Sequence, residues 1–171
     1  AETGDHDELI RGCTSRDALH WDEASIWVEP PAIGGTSHNH PLIFSHNDKL
    51  YGFFVCWREE HTPTTEIFIL NESSGEWEWQ EGSSIPMFVP FCSPQRLDNG
   101  NWIIGGEAHW DDAAVAISDG DDFLTWKMVK VPRPDDIMLF YPESAIVNRE
   151  NNHLLIFCRP QQRTRNLPDA W

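Results

Sequence analysis

Three stretches of the sequence share one layout: PLIFSHNDKLYGFFVC (residues 41–56), RLDNGNWIIG (residues 96–105) and AIVNRENNHLLIFC (residues 145–158). In each stretch an apolar run is followed by a polar turn and then by a second apolar run. The turn residues Asn47, Asn99 and Asn151 follow one another at intervals of 52 residues. Because Asn, Asp and Gly tolerate the positive φ that tight hairpin turns require, each stretch predicts a β-hairpin.

Further strand-like segments follow each of the first two hairpins. A short apolar segment comes first (65–70 and 113–117), and a Trp-bearing segment follows it (77–79 and 126–129). Each unit therefore predicts four strands in about 50 residues. No stretch between residues 30 and 160 keeps the 3.6-residue apolar period of a helix. Tandem units of four antiparallel strands are typical of β-propeller blades, whereas an immunoglobulin-type sandwich, the main competing fold, does not predict this repeat.

The repeat divides the chain into parts of a single all-β domain. Residues 1–33 are expected to end one blade, residues 34–84 and 85–134 to form two complete blades, and residues 135–171 to begin the next. This arrangement amounts to about three blades. Because propellers close with about 4–8 blades, we expect the chain to be a fragment of a longer protein.

The composition excludes several classes of function. The chain has 28 Asp and Glu against 12 Lys and Arg, a formal net charge of −16, which argues against nucleic-acid binding. No apolar run approaches the ~18–20 residues of a membrane span. The four cysteines show no CxxC spacing, so no metal or redox chemistry is predicted at them. The first residues lack the chemistry of a secretory signal, so localisation stays open, with a secreted or periplasmic parent protein as a guess. The oligomeric state also stays open.

Two polar turns that end in Trp share a second pattern. An Asp carboxylate in such a turn accepts backbone N–H groups, and the Trp ring packs beneath the loop. These turns resemble the Asp box of bacterial-neuraminidase-type repeats, which is structural and also occurs in propellers without hydrolase activity. A degenerate copy occupies residues 71–77. The predicted Asp-box residues are Ser15, Asp17, Trp21, Ser118, Asp119, Gly120 and Trp126.

The third hairpin places an acid opposite a base. If its turn centres on Asn151, Glu143 and Arg159 lie eight positions to either side and face each other. The corresponding pairs in the earlier units are Asn39 with Val55 and Phe91 with Glu107. Only the third pair joins opposite charges. A cross-strand ion pair without function is the alternative explanation.

The stretch from Tyr141 to Arg159 resembles the sialidase pattern in which a Glu opens one inner strand and an Arg closes the next. The resemblance implies a six-bladed propeller that cleaves terminal sialic acids with three arginines, a Tyr nucleophile, a Glu that activates this Tyr, and an acid/base Asp. Glu143 matches the activating Glu, and Arg159 matches the middle arginine that binds the sugar carboxylate. The other catalytic residues would lie outside residues 1–171, so this chain alone is expected to be inactive.

We therefore predict an exo-α-sialidase-like glycoside hydrolase that acts on sialylated glycans without a cofactor, with Asn39, Phe91 and Tyr141 as possible pocket walls. One alternative is a non-catalytic glycan- or protein-binding propeller with the Asp-box scaffold. Another is a six-bladed hydrolase of a different sugar, in which Glu143 is itself the catalytic acid or base.

His38 and His40 open the first hairpin as an HxH pair. Such a pair binds a metal only where a third ligand converges, and none is evident near it in the sequence. A surface pair at the start of a strand is therefore predicted. Cys56 lies in an apolar run and is predicted to be a small buried thiol.

Overall fold

The computed structural model describes residues 8–29, 35–58, 62–110, 112–133 and 141–159. Within these ranges the protein is all-β, without an α-helix. No helix of the described residues is long and apolar enough to cross a membrane. In chain order the strands are β1 (Ile10–Gly12), β2 (Ser25–Val28), β3 (Gly35–His46), β4 (Lys49–Arg58), β5 (Thr62–Asn71), β6 (Glu76–Pro86), β7 (Phe88–Pro90), β8 (Gln95–Arg96), β9 (Trp102–Ala108), β10 (Asp112–Asp119), β11 (Asp122–Lys130), β12 (Ala145–Arg149) and β13 (His153–Phe157).

The strands pair antiparallel in four consecutive sheets. Strands β3, β4, β5 and β6 form the first complete unit, in chain order. The second unit has the order β11-β10-β9-β7, with β8 also paired to β9, so β7 and β8 together take the place of one long strand. The two-stranded sheets β1–β2 and β12–β13 precede and follow these units, and we call β12–β13 the third unit. The described residues thus form an all-β propeller fragment, in which two larger antiparallel sheets come between two two-stranded ones along the chain.

The three hairpin turns occupy equivalent places but differ in backbone conformation. Asn47 and Asp48 both have positive φ, 48° and 56°, as a two-residue type I′ turn requires. In the second hairpin the positive φ is that of Gly100, at 90°. In the third it is that of Asn151, at 62°, inside a single 3₁₀ turn (Glu150–Asn152). The 52-residue repeat therefore places a strand-to-strand connection at each equivalent position, but the type of turn differs among the three.

Strand β4 is buried on both faces, which explains its continuous apolar sequence. Phe53 joins the core between the first and second units, where Phe123 stacks on Phe44 at 5.6 Å. The next residue, Phe54, points the other way and packs with Ile10 of the β1–β2 sheet. Alternate side chains of one strand thus bury themselves against two neighbouring sheets, as expected of a blade between blades.

Each unit has two distinct ends. The Asn turns lie at one end, which we call the turn end. The opposite end, where β3 and β12 begin and β4 and β9 finish, we call the site end. Hydrogen bonds between units fix their mutual positions: Thr65 Oγ1 donates to the carbonyl of Phe88 at 2.6 Å, and Gln95 Nε2 donates to that of Ile146 at 2.6 Å.

One predicted register differs in the structure. Asn39 pairs with Val55 as expected, but Glu107 faces Val89 and not Phe91. Gln95 pairs with Ile103, so the register shifts by two residues between β7 and β8. The irregular segment 91–94 separates β7 from β8: the Phe91 N–H still donates to the carbonyl of Gly105 on β9, but the segment ends in a proline that has no N–H to donate.

Candidate functional site

The third hairpin brings Glu143 and Arg159 together. Strands β12 and β13 pair Ala145 with Phe157, and two further steps along the same register place Glu143 opposite Arg159. Arg159 Nη2 donates a hydrogen bond to Glu143 Oε1. The two side chains are 58% and 36% exposed, so water screens their attraction and the pair contributes only about 0.2–1 kcal/mol. The facing geometry expected from the sequence is present. Because the contact contributes little to stability, either side chain can exchange its partner for another group at little cost.

The backbone beside Glu143 is anchored to the second unit. Ser144 is fully buried, and its hydroxyl donates to the carbonyl of Gly106. A Cβ at Gly105 would lie 3.1 Å from the Ser144 carbonyl, so glycine at this position lets the two segments approach without a tight contact. The segment before β12 is therefore anchored to the second unit at Ser144, while the Glu143 side chain next to it stays accessible.

Three aromatic residues, one from each unit, meet at the site end. Trp57 stacks on Trp110 with ring centroids 4.8 Å apart, and Trp110 contacts Tyr141 edge-on at 5.0 Å. The Tyr141 N–H donates to the Trp110 carbonyl at 2.7 Å. Trp110 and Tyr141 have left-handed backbones, with φ of 70° and 50°, a conformation that costs about 1–3 kcal/mol and is concentrated at functional sites. We call Trp57, Trp110 and Tyr141 the aromatic row.

The aromatic row extends to the other predicted wall residues. Asn39 Oδ1 accepts the indole N–H of Trp57 at 2.6 Å, and its Nδ2 donates to Glu8 Oε2 at 2.9 Å. Phe91 packs against the same cluster and contacts His40 edge-on at 5.6 Å. All three predicted wall residues thus lie at the site end, and their role in binding a ligand stays a prediction.

The predicted Asp-box turns lie at the turn end, away from this site. Asp17 Oδ1 accepts the N–H groups of Leu19 and His20 at 2.9 and 2.8 Å. The Trp21 indole donates to the carbonyl of Ala18 at 3.2 Å. The hydrogen bond from the His20 ring is the main reason that the pKa of Asp17 falls to about 2, and the two N–H groups add to it.

In the second of these predicted turns, the aspartate that accepts the hydrogen bonds is not Asp119. Asp122 Oδ1 accepts the N–H of Leu124 at 2.7 Å, and its Oδ2 accepts the hydroxyl of Thr125 at 2.8 Å. Asp122 therefore matches Asp17 and takes the place expected of Asp119. In both turns the carboxylate accepts hydrogen bonds from the residues two and three positions later in the chain. Asp119 comes too early in its loop to accept hydrogen bonds from the same residues.

The other predicted residues of these turns have separate roles. Ser15 Oγ accepts the N–H of Ala18 at 2.9 Å. Ser118 Oγ accepts the N–H of Trp102 at 2.7 Å and donates to the carbonyl of Gly120 at 2.6 Å, where Gly120 supplies a positive φ of 61°.

The two tryptophans and the degenerate copy also differ. Trp126 packs beneath its loop, 5.6 Å from the Phe53 ring, whereas Trp21 is 60% exposed, so the expected packing is present in one copy. In the degenerate copy Asn71 Oδ1 accepts the N–H groups of Ser73 and Ser74 at 3.0 and 3.3 Å, so an amide takes the place of the carboxylate.

The prediction of a surface HxH pair is wrong for His38. This residue is 3% exposed, whereas His40 is exposed to solvent. A regular strand would place both on one face, but the ladder is irregular between Asn39 and Leu42 and His40 has a positive φ of 46°, so the two rings separate. Its Nε2 lies 3.0 Å from Glu66 Oε2, and Cys56 pairs with it across β3 and β4. Burial opposes protonation of His38, but hydrogen bonds to Cys56 and Glu66 outweigh this and raise its pKa to about 9. Cys56 is a small buried thiol, as expected, but it belongs to a polar cluster.

Comparison of the chain with models of known families gave no match, and comparison with curated proteins gave none either.

Proposed function

We propose that the chain is part of an exo-α-sialidase-like glycoside hydrolase, with Arg159 binding the substrate carboxylate and Glu143 assisting the nucleophile. One observation carries the proposal: an acid and a base face each other at the site end of the third unit. The equivalent positions of the other units carry Asn39 with Val55 and Val89 with Glu107, so this pairing is not a general feature of the repeat.

The geometry suits an anionic sugar. Arg159 is exposed enough to exchange Glu143 for a ligand carboxylate, and its planar fork binds such a group through two hydrogen bonds. Once Arg159 has done so, Glu143 is available to accept a proton. In a sialidase this proton comes from a Tyr, which we expect to lie outside residues 1–171.

The aromatic row supports a carbohydrate ligand. Sugar rings present apolar C–H faces that stack on aromatic rings, and ligand sites combine such surfaces with a few charged groups. Tyr141 is only two residues from Glu143, so the row and the ion pair lie at the same end of neighbouring units. A net charge of −16 repels an anionic glycan at long range, which makes a local arginine necessary for binding.

The test uses the full-length protein that contains this chain and a fluorogenic α-sialoside. We expect Arg159→Ala to lower kcat/KM by about 10²-fold or more, because it removes a charged contact to the substrate. Arg149→Ala is the matched control, since Arg149 lies at the turn end of the same hairpin and pairs with His153. An Arg159→Ala protein with the kcat/KM of the wild type would overturn the role of this arginine.

A glycan-binding propeller without catalysis is the second candidate, and the aromatic row favours it independently of the ion pair. In that case the full-length protein would bind sialylated glycans without releasing sialic acid. Trp110→Ala would then abolish binding, while Glu143→Gln would leave it unchanged. Turnover of the fluorogenic sialoside by the wild type would exclude this candidate.

A further inference from the structure

A second polar cluster lies at the site end of the first unit, on three adjacent strands. His38 on β3 pairs with Cys56 on β4, and Glu66 lies beside them on β5. The ligand atoms of these three residues all lie within 4.8 Å of one another, and each residue is buried. Among the residues that the structure describes, this is the one group of three or more His, Cys, Asp or Glu side chains arranged in this way.

The backbone around His38 orients its ring toward the other two residues. His38 Nδ1 lies 3.0 Å from the carbonyl oxygen of Glu29, which has no proton, so Nδ1 carries the proton that they share. The His38 N–H donates to the carbonyl of Glu8 at 3.0 Å, which fixes the start of the strand. A histidine that binds a metal typically donates its second ring N–H to a carbonyl in this way, and the free electron pair of Nε2 then points at the ion.

We propose that His38 Nε2, Cys56 Sγ and a carboxylate oxygen of Glu66 bind one divalent cation, for which Zn²⁺ is the first candidate. One nitrogen, one sulfur and one oxygen ligand suit Zn²⁺, which takes four ligands in a tetrahedron. Metal–ligand lengths of about 2.0–2.3 Å place tetrahedral ligands about 3.3–3.8 Å apart, so ligand atoms that now lie up to 4.8 Å apart would approach by about 1–1.5 Å to complete the site. A water molecule supplies the fourth ligand.

The charges of this site balance when the cation binds. Cys56 loses its thiol proton and Nε2 of His38 loses any proton that it shares with Glu66, and both protons leave to solvent. One thiolate and one carboxylate then neutralise the two positive charges of the ion, which a buried site requires. The site links β3, β4 and β5, so the cation would stabilise the first unit.

A buried ion pair between His38 and Glu66 is the competing explanation, and Cys56 distinguishes the two. An ion pair needs only the imidazolium and the carboxylate, whereas a Zn²⁺ site requires the thiolate. Loss of the sulfur therefore abolishes a metal site and leaves an ion pair intact. The proposal does not depend on the glycosidase function, because these residues play no part in it.

The experiment titrates Co²⁺ and Zn²⁺ into the chain after removal of any affinity tag and treatment with a chelator. We expect one equivalent of Co²⁺ to bind, with the near-ultraviolet absorption of a thiolate–Co²⁺ bond, and Zn²⁺ to displace it. Zn²⁺ is also expected to raise the Tm, because it binds only the folded protein. Cys56→Ser should lose the thiolate absorption. Cys92→Ser is the matched control, because the Cys92 thiol hydrogen-bonds to Gly105 in the second unit, away from the cluster. This substitution should leave the absorption unchanged.

Glu66→Gln keeps the shape of the side chain and removes its charge, so it provides a second test if Cys56→Ser fails to fold. It should keep the thiolate absorption and weaken Co²⁺ binding at least tenfold. The proposal is overturned if the wild-type chain binds less than one saturable equivalent. It is also overturned if Zn²⁺ leaves the Tm unchanged, or if a folded Cys56→Ser protein retains the thiolate absorption.

Discussion

The first and third units place opposite charges at the same end of the fold, but with opposite exposure. The His38 and Glu66 side chains are 3% and 6% exposed, whereas those of Arg159 and Glu143 are 58% and 36% exposed. The β1–β2 sheet lies over the first pair: the His38 ring packs edge-on against Phe68, which clusters with Ile10 and Val28 of that sheet.

This difference decides what each pair is able to do. Removing charges from water costs several kcal/mol, so a buried pair must keep a partner of opposite charge at all times. An exposed pair gains little from its mutual contact and exchanges partners at little cost. The first unit therefore suits permanent binding of an ion, and the third suits reversible binding of a ligand carboxylate.

The largest effect is expected from Glu66→Ala, measured in the presence of a chelator. This substitution leaves His38 buried without its carboxylate partner, and breaking a buried pair in this way costs about 3–5 kcal/mol. Urea denaturation followed by circular dichroism measures the loss. Glu81→Ala is the control, because Glu81 is exposed on β6 and should change the free energy of unfolding by less than about 0.5 kcal/mol. If the free energy of unfolding of Glu66→Ala lay within 1 kcal/mol of the wild-type value, burial would not make the first pair more important for stability than the third.

The repeat carried most of the information on the fold. Equal spacing of Asn47, Asn99 and Asn151 indicates the blades, since a turn residue is needed wherever two strands reverse. The same mirror symmetry about Asn151 predicts the contact between Glu143 and Arg159, because β12 and β13 pair without a bulge. Periodicity does not reveal inserted residues. For this reason the predicted pairing of Glu107 with Phe91 is wrong.

The buried cluster was missed for a different reason. Pairing of Asn39 with Val55 already implies that His38 faces Cys56 one step further along, so half of the cluster was present in the sequence. Glu66, an acid in an apolar strand, was the remaining signal. The HxH pattern concerns neighbours on a single strand. It does not detect ligands that come together from three adjacent strands, as His38, Cys56 and Glu66 do. The acidic turn 118–126 contains several aspartates, and the sequence alone does not show which of them accepts the hydrogen bonds of the turn. The geometry identifies Asp122 and not Asp119.

A smaller effect is expected for the exposed pair. A double-mutant cycle of Glu143→Gln and Arg159→Ala should give a coupling free energy of about 0.2–1 kcal/mol, because both side chains remain hydrated. The coupling should fall when NaCl is raised from 0.05 to 0.5 M, since salt screens exposed charges. Urea denaturation of the four proteins at both salt concentrations measures it. A coupling free energy above 2 kcal/mol that does not change with salt would show that this pair behaves like the buried pair of the first unit.

The smallest effect is expected at the turn end, where Asp17 is an exposed carboxylate stabilised by hydrogen bonds to His20 and to backbone N–H groups. Its pKa of about 2 in the folded protein lies below the ordinary value of 3.8, so folding favours the ionised form. The resulting stability is fully present above about pH 5 and is lost as the pH falls through 4 toward 2. Asp17→Asn should therefore flatten the decline of Tm between pH 5 and pH 2. Asp119→Asn is the control and should retain the wild-type slope. Equal slopes for Asp17→Asn and the wild type would show that hydrogen bonds to an exposed carboxylate contribute as little as the salt bridge of the third unit.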